Sequence, residues 1–408
     1  MFEGVRVLSF THFLQGPSAV QMLADLGADV IKVEPPKGAF ERHWAGLDAF
    51  IDGVSVFFML GNRNQRSLSI DLRAEKAKEI IYRAVRAADV VVENYRPGVM
   101  DRLGFGYAKL NEINPRIIYC SCTGYGPDGP CVDRPGQDLL LQSISGLASL
   151  NGEKDSAPTP VGAAVVDQHG AVLAAFGIAA TLFEREKTGK GRRIESNLLN
   201  SALDLQVEPF TYYLNKGPLW ERSKPGSGSR YHPAPYGIYR TKDSWIAISL
   251  TPVEKLRKAL DGNTLAGFTE RDEIERREDI HQIVCTALQQ KTTEEWFSIF
   301  AEHGIWHAPV NGYEEVENDP QVAWNKIIMQ LEHPDVGPVR LVRHPVRYDG
   351  EAPGIRRYPP RLGEHTREIL NDFGYTEDEI QRLFTDRIVA GSNAIAEPSP
   401  EHSGRKAE

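Results

Sequence analysis

The sequence predicts an α/β protein with a parallel sheet and a second, smaller α+β unit. In the first third of the chain, apolar runs typical of strands alternate with helical periodicity, which is the pattern of βαβ units around a parallel sheet. The strands are predicted at 5–10, 30–33, 67–72, 90–92, 116–123 and 193–198, and helices between them at 18–26 and 74–88. At 408 residues, the chain exceeds the usual size of a single core, so two domains are expected.

The middle of the chain changes character. Residues 223–229 are rich in Gly and Ser and indicate a linker or loop. Two apolar runs at 238–240 and 245–250 flank a turn and predict a hairpin that opens the smaller α+β unit. Helices are predicted at 253–260, 279–290 and 293–302, and a last one at 363–373 after a Pro-rich stretch. The composition of 388–408 is typical of disorder.

Bulk composition excludes several classes of function. A net charge of -9 argues against general nucleic-acid binding, which needs a basic face. The sequence lacks both an unbroken apolar run of about 18 residues and a signal peptide, so we expect a cytoplasmic protein that does not enter membranes. The spacing of Cys120, Cys122, Cys131 and Cys285 favours reduced thiols, and the scattered histidines predict no metal site.

Asp167 is the most informative residue, because it lies four positions before the apolar helical run 171–183. That run is too apolar for a surface helix, so we expect it to be buried. A carboxylate at this position can cap the helix, accepting hydrogen bonds from its first free amides. An ionised carboxylate in an apolar notch is also suited to act as a covalent nucleophile. The two roles are compatible, and local sequence alone leaves both open.

Gly124, Gly126 and Gly129 have the G-x-G-x-x-G spacing of dinucleotide-binding loops and follow a predicted strand. That motif requires its last glycine in the first turn of a helix. Prolines at 127, 130 and 135 interrupt this stretch, so the required context is absent. A glycine-rich active-site loop is the better interpretation.

Several polar residues lie just beyond predicted strand ends. Asn94, Tyr95 and Arg96 follow one strand, Arg73 follows another, and Arg102 comes six residues after Arg96. Ligands of open parallel sheets bind beyond the carboxyl ends of the strands, where an arginine can reach a phosphate and a tyrosine can stack on a base. The alternative is a set of solvated surface arginines. The shared position favours an anion site.

Together these segments resemble the class III CoA-transferases of the formyl-CoA and carnitine CoA-transferase type. The resemblance covers residues 4–385 and rests on nine short motifs in order, including LGADVIKVE, VENYRPG and HPAPYG. The motifs lie at 4–8, 26–34, 64–67, 92–98, 101–104, 114–118, 187–191, 232–237 and 362–366. Each is weak alone, but nine in the same order are specific.

The resemblance implies a Rossmann-like large domain with a parallel sheet, an inserted smaller α+β domain, and an interlocked homodimer. We therefore divide the chain into a large domain at 1–200, a linker at 201–229, a small domain at 230–320, a return segment completing the large domain at 321–387, and a disordered tail at 388–408. It also implies acyl-CoA and carboxylic acids as substrates, with no permanently bound cofactor.

The resemblance further implies that Asp167 is the nucleophile, passing through a mixed anhydride and an aspartyl-CoA thioester. By position, the residues that match the CoA contacts of the family are His12, Leu14, Gln15, Arg73, Asn94, Tyr95, Arg96, Arg102 and Arg134. Gln15, Gln137, Asp138 and His169 are the candidate supporting residues of the active site. Small residues such as Gly136 and Gly170 would permit close approach of backbone donors.

Two departures from the family pattern bear on substrates. Pro35 stands where some members have a CoA-binding arginine, and 223–229 lacks the poly-glycine flap of oxalate-specific enzymes.

An α-methylacyl-CoA racemase shares the fold, but Gln137 replaces its catalytic histidine and cannot move a proton near neutral pH. A non-catalytic acyl-CoA-binding subunit is a third possibility, disfavoured because Asp167 is retained.

Overall fold

The computed structural model describes residues 1–225 and 228–392. They form two compact units. The first contains Met1–Gln137, Val165–Ser201 and the chain from Asn325 onwards, and the second contains Asp138–Ala164 and Ala202–Trp324.

The strands are numbered in chain order. They are β1 (Arg6–Phe10), β2 (Asp29–Glu34), β3 (Phe50–Ile51), β4 (Val54–Ser55), β5 (Gln65–Ile70), β6 (Val90–Glu93), β7 (Ile118–Thr123), β8 (Arg193–Asn197), β9 (Gly237–Arg240), β10 (Trp245–Ile248), β11 (His307–Pro309), β12 (Ile328–His333), β13 (Gly337–Val342) and β14 (Val389–Ala390).

The helices follow in the same order. They are α1 (Gln15–Asp25), α2 (Val56–Gly61), α3 (Glu75–Arg86), α4 (Val99–Leu103), α5 (Tyr107–Ile113), α6 (Asp138–Ile144), α7 (Val165–Thr188), α8 (Leu198–Asp204), α9 (Val207–Leu214), α10 (Val253–Leu260), α11 (Asp272–Glu275), α12 (Arg277–Leu288), α13 (Thr293–Glu302), α14 (Tyr313–Asn318), α15 (Pro320–Asn325), α16 (Thr366–Asp372) and α17 (Glu377–Thr385).

A sheet of order β14-β5-β2-β1-β6-β7-β8 organises the first unit within the described chain. The predicted strands are confirmed as β1, β2, β5, β6, β7 and β8, and these pair in parallel. The sheet as a whole is mixed rather than parallel, because β14 returns to the edge and pairs antiparallel with β5, setting Val389 opposite Ile70. The α/β class is therefore confirmed, with this correction to the sheet.

Helices cover both faces of the sheet. One apolar cluster joins the sheet to α3, α5, α16 and α17, and the other joins it to α1 and α7. Helix α3 shows why: its buried residues Ala77, Ile80, Ile81 and Ala84 recur at the three- and four-residue spacing of one helix face. The two clusters make a three-layer arrangement in which the carboxyl ends of the parallel strands share one edge.

Helix α7 combines a buried face with an exposed one. Ala171, Ala174 and Ile178 are buried in the core, while Phe176 is 72% exposed and Phe183 is 67% exposed. The prediction that this run is buried is therefore right for one face only. Among the described residues, α7 is also long and apolar enough to cross a membrane by length and composition alone. A core helix of a soluble protein passes the same test, so this is weak evidence.

The second unit has its own core. The predicted hairpin is confirmed as β9 and β10, which pair antiparallel, and β11 adds a third strand to β10. Helices α10, α12 and α13 occupy the predicted helical segments and supply buried residues to the same cluster. Helix α13 begins with a capping box, in which Thr292 and Glu295 satisfy each other's backbone amides.

The structure corrects three predicted boundaries. Residues 138–164, assigned above to the large domain, cluster with the second unit. The predicted linker 201–229 contains the end of α8 and all of α9, because the Gly/Ser composition starts only at 223. The tail predicted from 388 begins with β14, and the Asp71 amide donates to the Ile388 carbonyl at 2.9 Å. The remainder of the tail (393–408), and 226–227 of the linker, lie outside the described residues.

Candidate active site

Two loops meet at the carboxyl edge of the sheet, one after β1 and one after β6. The His12 amide donates to Asn94 Oδ1 at 2.9 Å, and Asn94 Nδ2 donates to the His12 carbonyl at 2.7 Å. This reciprocal pair fixes the loops side by side. It brings together segments that are 82 residues apart in the sequence, as expected for adjacent parallel strands.

Aromatic rings continue this contact. The ring centroids of His12 and Tyr95 are 5.4 Å apart, and those of His12 and Phe13 are 5.3 Å apart. Burial lowers the pKa of His12 below its usual range, so its imidazole is neutral near pH 7. Burial likewise raises the pKa of Tyr95 to about 12. The rings therefore present an uncharged, flat surface next to the loop amides.

A buried ion pair holds the loop after β1 in place. Lys32 Nζ donates to the Thr11 carbonyl at 2.9 Å and to Glu41 Oε1 at 3.0 Å, and both charged side chains have no exposed surface. Breaking such a pair by removing one partner leaves a buried charge uncompensated. Sequence reasoning missed both residues, although a lysine inside the apolar strand β2 was a visible signal.

Asp167 lies in the first turn of α7, two residues after the helix begins at Val165. It is half-buried. This position corrects the expectation of an N-cap, because the helix starts earlier than the sequence suggested. The first-turn position still gives a carboxylate the favourable field of the helix N-terminus and keeps free backbone amides close by.

The start of α7 is tied to α8. Ser201 Oγ donates to the Val166 carbonyl at 2.9 Å, and His169 Nδ1 lies 3.2 Å from the same hydroxyl. His169 is thus a hydrogen-bonding residue of the helix start. These bonds fix the turn that carries Asp167.

Gln15 is a predicted site residue whose side chain lies against the start of α7. A Cβ atom placed on Gly170 would lie 2.7 Å from Gln15 Nε2, so a side chain at 170 would displace the Gln15 amide. Residues 167 and 170 share one face of the helix, since they are three positions apart. Gln15 is 4% exposed, and no described residue accepts a hydrogen bond from its Nε2. An unpaired buried donor costs about 1–3 kcal/mol, and a bound ligand that accepts a hydrogen bond from it would recover that free energy.

The loop after β7 is built from two glycines in contact. A Cβ on Gly136 would lie 2.4 Å from the Gly124 Cα, so neither position accepts a side chain. The Gly124 carbonyl also accepts from the Leu199 amide at 3.0 Å. Residues 124–137 form turns and bends, in agreement with a glycine-rich loop rather than a dinucleotide-binding helix start. Gly136 thus permits a close backbone contact with Gly124, and Gly170 a close contact with the Gln15 side chain, while the approach of backbone donors to a reacting group stays a prediction.

The arginines predicted to bind CoA lie at this edge with their charges exposed. Arg73 follows β5, Arg96 follows β6, and Arg102 is in α4, with Nη1 at 3.1 Å from where a Gly98 Cβ would stand. Arg134 lies in the loop after β7 and is also exposed. Among the described residues, none of these four forms an ion pair with a carboxylate. Their positive charge is therefore available to an anionic ligand.

The remaining predicted residues are less closely connected to this group. Leu14 is half-buried at the start of α1. Gln137 is exposed at the end of the loop after β7. Asp138 belongs to the second unit, where it opens α6 and accepts from Gln142 Nε2 at 2.6 Å. Among the described residues, no cluster of three or more His, Cys, Asp or Glu is placed to hold a metal ion.

The first unit is thus an α/β domain in which a carboxylate of α7 and a buried amide of α1 lie on neighbouring helices, and exposed arginines lie beyond the carboxyl ends of the strands. The chain belongs to CoA-transferase family III, whose sequence model matches residues 2–366. The family predicted from the nine motifs is confirmed.

Individual relatives agree with this assignment. The chain is 33% identical to the succinyl-CoA:glutarate CoA-transferase of Mus musculus, over 95% of this chain and 90% of the relative. It is 30% identical to the formyl-CoA:oxalate CoA-transferase of Streptomyces avermitilis, over 95% and 99%. The crystal structure of a CAIB/BAIF family protein from Brucella suis superimposes with a TM-score of 0.78 at 28% identity, covering 91% of this chain and 99% of that one.

Proposed function

We propose that this protein moves CoA from an acyl-CoA donor to a free carboxylic acid, with Asp167 as the covalent nucleophile. Family membership supports the reaction class. The observation that carries the assignment of the site is Gln15: its buried, unpartnered amide lies against the face of α7 that bears Asp167. A side-chain carboxylate beside a prepared donor is what an acyl transfer requires.

The proposed reaction takes up and releases no proton overall. An Asp167 oxygen attacks the thioester carbonyl, the carbon–sulfur bond breaks, and CoA leaves as a thiolate with a mixed anhydride behind it. The thiolate attacks the aspartyl carbonyl, forming an aspartyl-CoA thioester and releasing the donor acid as a carboxylate. An acceptor carboxylate then reverses the two steps, so that its CoA ester forms and Asp167 is free again.

Each attack produces a negatively charged oxygen that needs a hydrogen-bond donor. Gln15 Nε2 is the donor that the structure offers, because it is already desolvated and its Gly170 contact fixes its position. One such preorganised donor contributes about 3 kcal/mol to the transition state. Gln15 need not reorient during the reaction, and it would satisfy its own hydrogen-bonding capacity only when the charged oxygen forms.

The phosphates of CoA would bind along the same edge. Arg73, Arg96 and Arg102 supply charge, and the His12 and Tyr95 rings supply a flat surface beside the loop amides. Guanidinium groups match phosphate oxygens in geometry and charge. Pro35 adds no charge, so Arg102 would carry a larger share of the binding than in relatives with an arginine there.

The acceptor is proposed to be a carboxylic acid larger than oxalate, because 223–229 lacks a poly-glycine flap. One relative acts on glutarate and another on oxalate by name. A panel of acids that includes both, each assayed with succinyl-CoA as donor, separates these choices. A rate with oxalate above the rate with glutarate would contradict the proposed preference.

The nucleophile is tested by peptide mass spectrometry after incubation with acyl-CoA and an acid quench. A CoA adduct on the peptide that contains Asp167 is expected in the wild type and absent in Asp167→Asn. The matched control is Glu186→Gln, which removes an exposed carboxylate from the same helix and should leave the adduct unchanged. Deuterium wash-in at the α-carbon of a branched acyl-CoA, without an adduct, would establish the racemase reaction instead. Binding of CoA with neither signal would indicate a non-catalytic subunit.

The assembly is proposed to be an interlocked homodimer, and the location cytoplasmic. The exposed apolar face of α7, with Val172, Phe176 and Phe183, supports a partner surface, because exposed apolar patches mark interaction sites. Light scattering of Phe176→Glu is expected to show a monomer or an insoluble chain. If the variant is a soluble dimer of unchanged stability, this face of α7 is not part of the dimer interface.

A further inference from the structure

Glu93 is a buried carboxyl group that the proposed reaction does not use. It is the last residue of β6 and directly precedes the Asn94–Tyr95–Arg96 loop. Its exposed fraction is 6%. A carboxyl group at that depth needs hydrogen-bond partners or a proton to be tolerated.

Both oxygens of Glu93 have partners. Oε2 accepts from the Tyr95 backbone amide at 3.0 Å, and Oε1 accepts from Ser121 Oγ of the neighbouring strand β7 in a short hydrogen bond. Ser121 stands directly opposite Glu93 in the strand register. The carboxyl group therefore fixes the first turn of the loop to the sheet, and Asn94 then joins that loop to His12.

The charges around Glu93 come from several elements. Asp101 of α4 has a like charge, Arg193 of β8 has an opposite charge, and Tyr95, Tyr119 and Cys122 are further titratable neighbours. Burial raises the pKa of Glu93 to about 7, and Asp101 adds to this, while the hydrogen bonds and Arg193 oppose it. The group is thus divided between its two protonation states near neutral pH.

We propose that Glu93 is a positioning residue for the Asn94–Tyr95–Arg96 loop and that it takes up a proton when a CoA ester binds at this loop. This inference rests on the proposed function, since it requires the phosphates of CoA at Arg96 and Arg102. Those phosphates add negative charge next to Tyr95, whose amide is bonded to Glu93. The arginine charges are the same in the free and the CoA-bound protein. The bound protein differs by the negative charge of the phosphates, which disfavours the ionised form of Glu93.

Proton uptake need not release the loop. A protonated Oε1 can donate to Ser121 Oγ, and Oε2 can still accept from the Tyr95 amide. Glu93→Gln reproduces this neutral arrangement, because its carbonyl oxygen can accept from the Tyr95 amide and one N–H of its NH2 group can donate to Ser121 Oγ. The Gln variant is therefore a permanently neutral copy of the protonated state, and Glu93→Ala lacks both contacts.

The sign of the pH dependence follows by linkage. Binding raises the pKa of Glu93 above its value of about 7 in the free protein. The contribution of the proton to CoA affinity is therefore fully present below pH 7 and is lost as pH rises through the bound-state pKa. One proton can change the affinity by at most about tenfold per pH unit. The ionisation of CoA itself is common to wild type and variant and cancels in their comparison.

The experiment is calorimetric titration of the full-length protein with CoA at pH 6.5, 7.5 and 8.5, in buffers of different ionisation enthalpy. Between the first and last pH, wild-type affinity is expected to fall roughly 5-fold more than that of Glu93→Gln, with proton uptake at pH 7.5 in the wild type alone. Glu112→Gln, at an exposed carboxylate of α5, is the matched control and should behave as wild type. Equal proton uptake in wild type and Glu93→Gln would overturn the inference.

A second variant keeps the test valid if Glu93→Gln folds poorly. Ser121→Ala removes a hydrogen bond that favours the ionised carboxylate, so the pKa of Glu93 should rise and the loss of affinity should move to higher pH. An unmoved pH profile would contradict the proposal. If the wild type binds CoA at none of the three pH values, the proposed function is overturned. If the aspartyl adduct forms but the pH profile of Ser121→Ala is unchanged, the proposed function stands and Glu93 has no part in CoA binding.

Discussion

The two ends of strands β1 and β6 differ in how their polar groups are satisfied. At the amino ends, the Arg6 amide donates to Asp89 Oδ2 at 2.8 Å, Arg6 Nε donates to Asp29 at 3.1 Å, and Arg185 pairs with Asp89 at 2.8 Å. At the carboxyl ends, Gln15 Nε2 has no partner among the described residues. At the amino ends (the closed end) the charges pair with each other, although Arg185 Nε itself has no partner in the described chain, whereas the carboxyl ends (the open end) keep the neutral donor of Gln15 for a ligand.

Arg66 extends the closed end. Its guanidinium contacts Asp29 at 2.6 Å, Glu368 at 2.9 Å and Asp372 at 2.7 Å, which ties β2 and β5 to α16. Burial raises the pKa of Asp29, but the hydrogen bonds and charges of Arg66 and Arg6 outweigh it and lower the pKa overall. A cavity of about 270 Å³ lies here, and its charged lining already pairs internally. Cavity volume alone therefore does not locate the chemistry.

The difference between the two ends of the strands predicts that a substitution of Asp167 has the largest effect on activity. Asp167→Asn should lower CoA transfer at least about 10³-fold, because the nucleophilic oxygen is lost. CoA binding and the melting temperature should stay near wild type, since the isosteric amide keeps the shape of the turn. Steady-state kinetics and thermal melts of the same preparation measure both. Retained turnover would remove Asp167 from the chemistry.

The next largest effect is expected at the closed end. Arg66→Ala should lower the free energy of unfolding by about 3 kcal/mol, because it leaves partly buried carboxylates without their common partner. The KM values of the folded enzyme should change little. Arg192→Ala is the control, since its pair with Glu184 is exposed and should contribute little to stability. Urea unfolding of both variants tests the difference, and equal losses would show that the closed end is not specially stabilising.

After Asp167, Gln15 is the residue of the open end where a substitution should have the largest effect. Gln15→Ala should lower kcat roughly 100-fold, as removal of one preorganised oxyanion donor does, while stability stays level or rises because an unpaired buried amide is lost. Gln142→Ala removes a comparable amide whose partners are known, and it should cost stability rather than kcat. A fall in the stability of Gln15→Ala with kcat unchanged would mean that Gln15 is structural.

Much of this contrast was visible in the sequence. Strand positions followed from apolar runs, and the rule that ligands bind beyond carboxyl strand ends placed Asn94, Tyr95 and Arg96 on the correct edge. Asp167 was singled out by its position before an apolar helix. The roles given to these residues stay predictions, because their placement agrees with the family resemblance without testing it.

Other features could not be predicted, for physical reasons. Glu93 looks like an ordinary polar strand end, and only its long-range partner Ser121 shows that it is buried. The two-residue strand β14 is too short for any periodicity to reveal it. The apolar composition of α7 does not say which face is covered, so Phe176 was expected inside. Each case depends on contacts between segments far apart in the chain.

The smallest effect is expected at Arg102, on the rim of the open end. Arg102→Ala should raise the KM for CoA esters roughly 5- to 10-fold, because an exposed charge-assisted contact with a phosphate is lost. The KM for the acceptor acid should be unaffected, and added salt should reduce the difference between wild type and variant. Arg116→Ala, at the amino end of β7, is the control and should change neither value. If both variants raise the KM equally, general attraction by positive charge explains the binding, and the two ends of the sheet do not differ in their use of arginine.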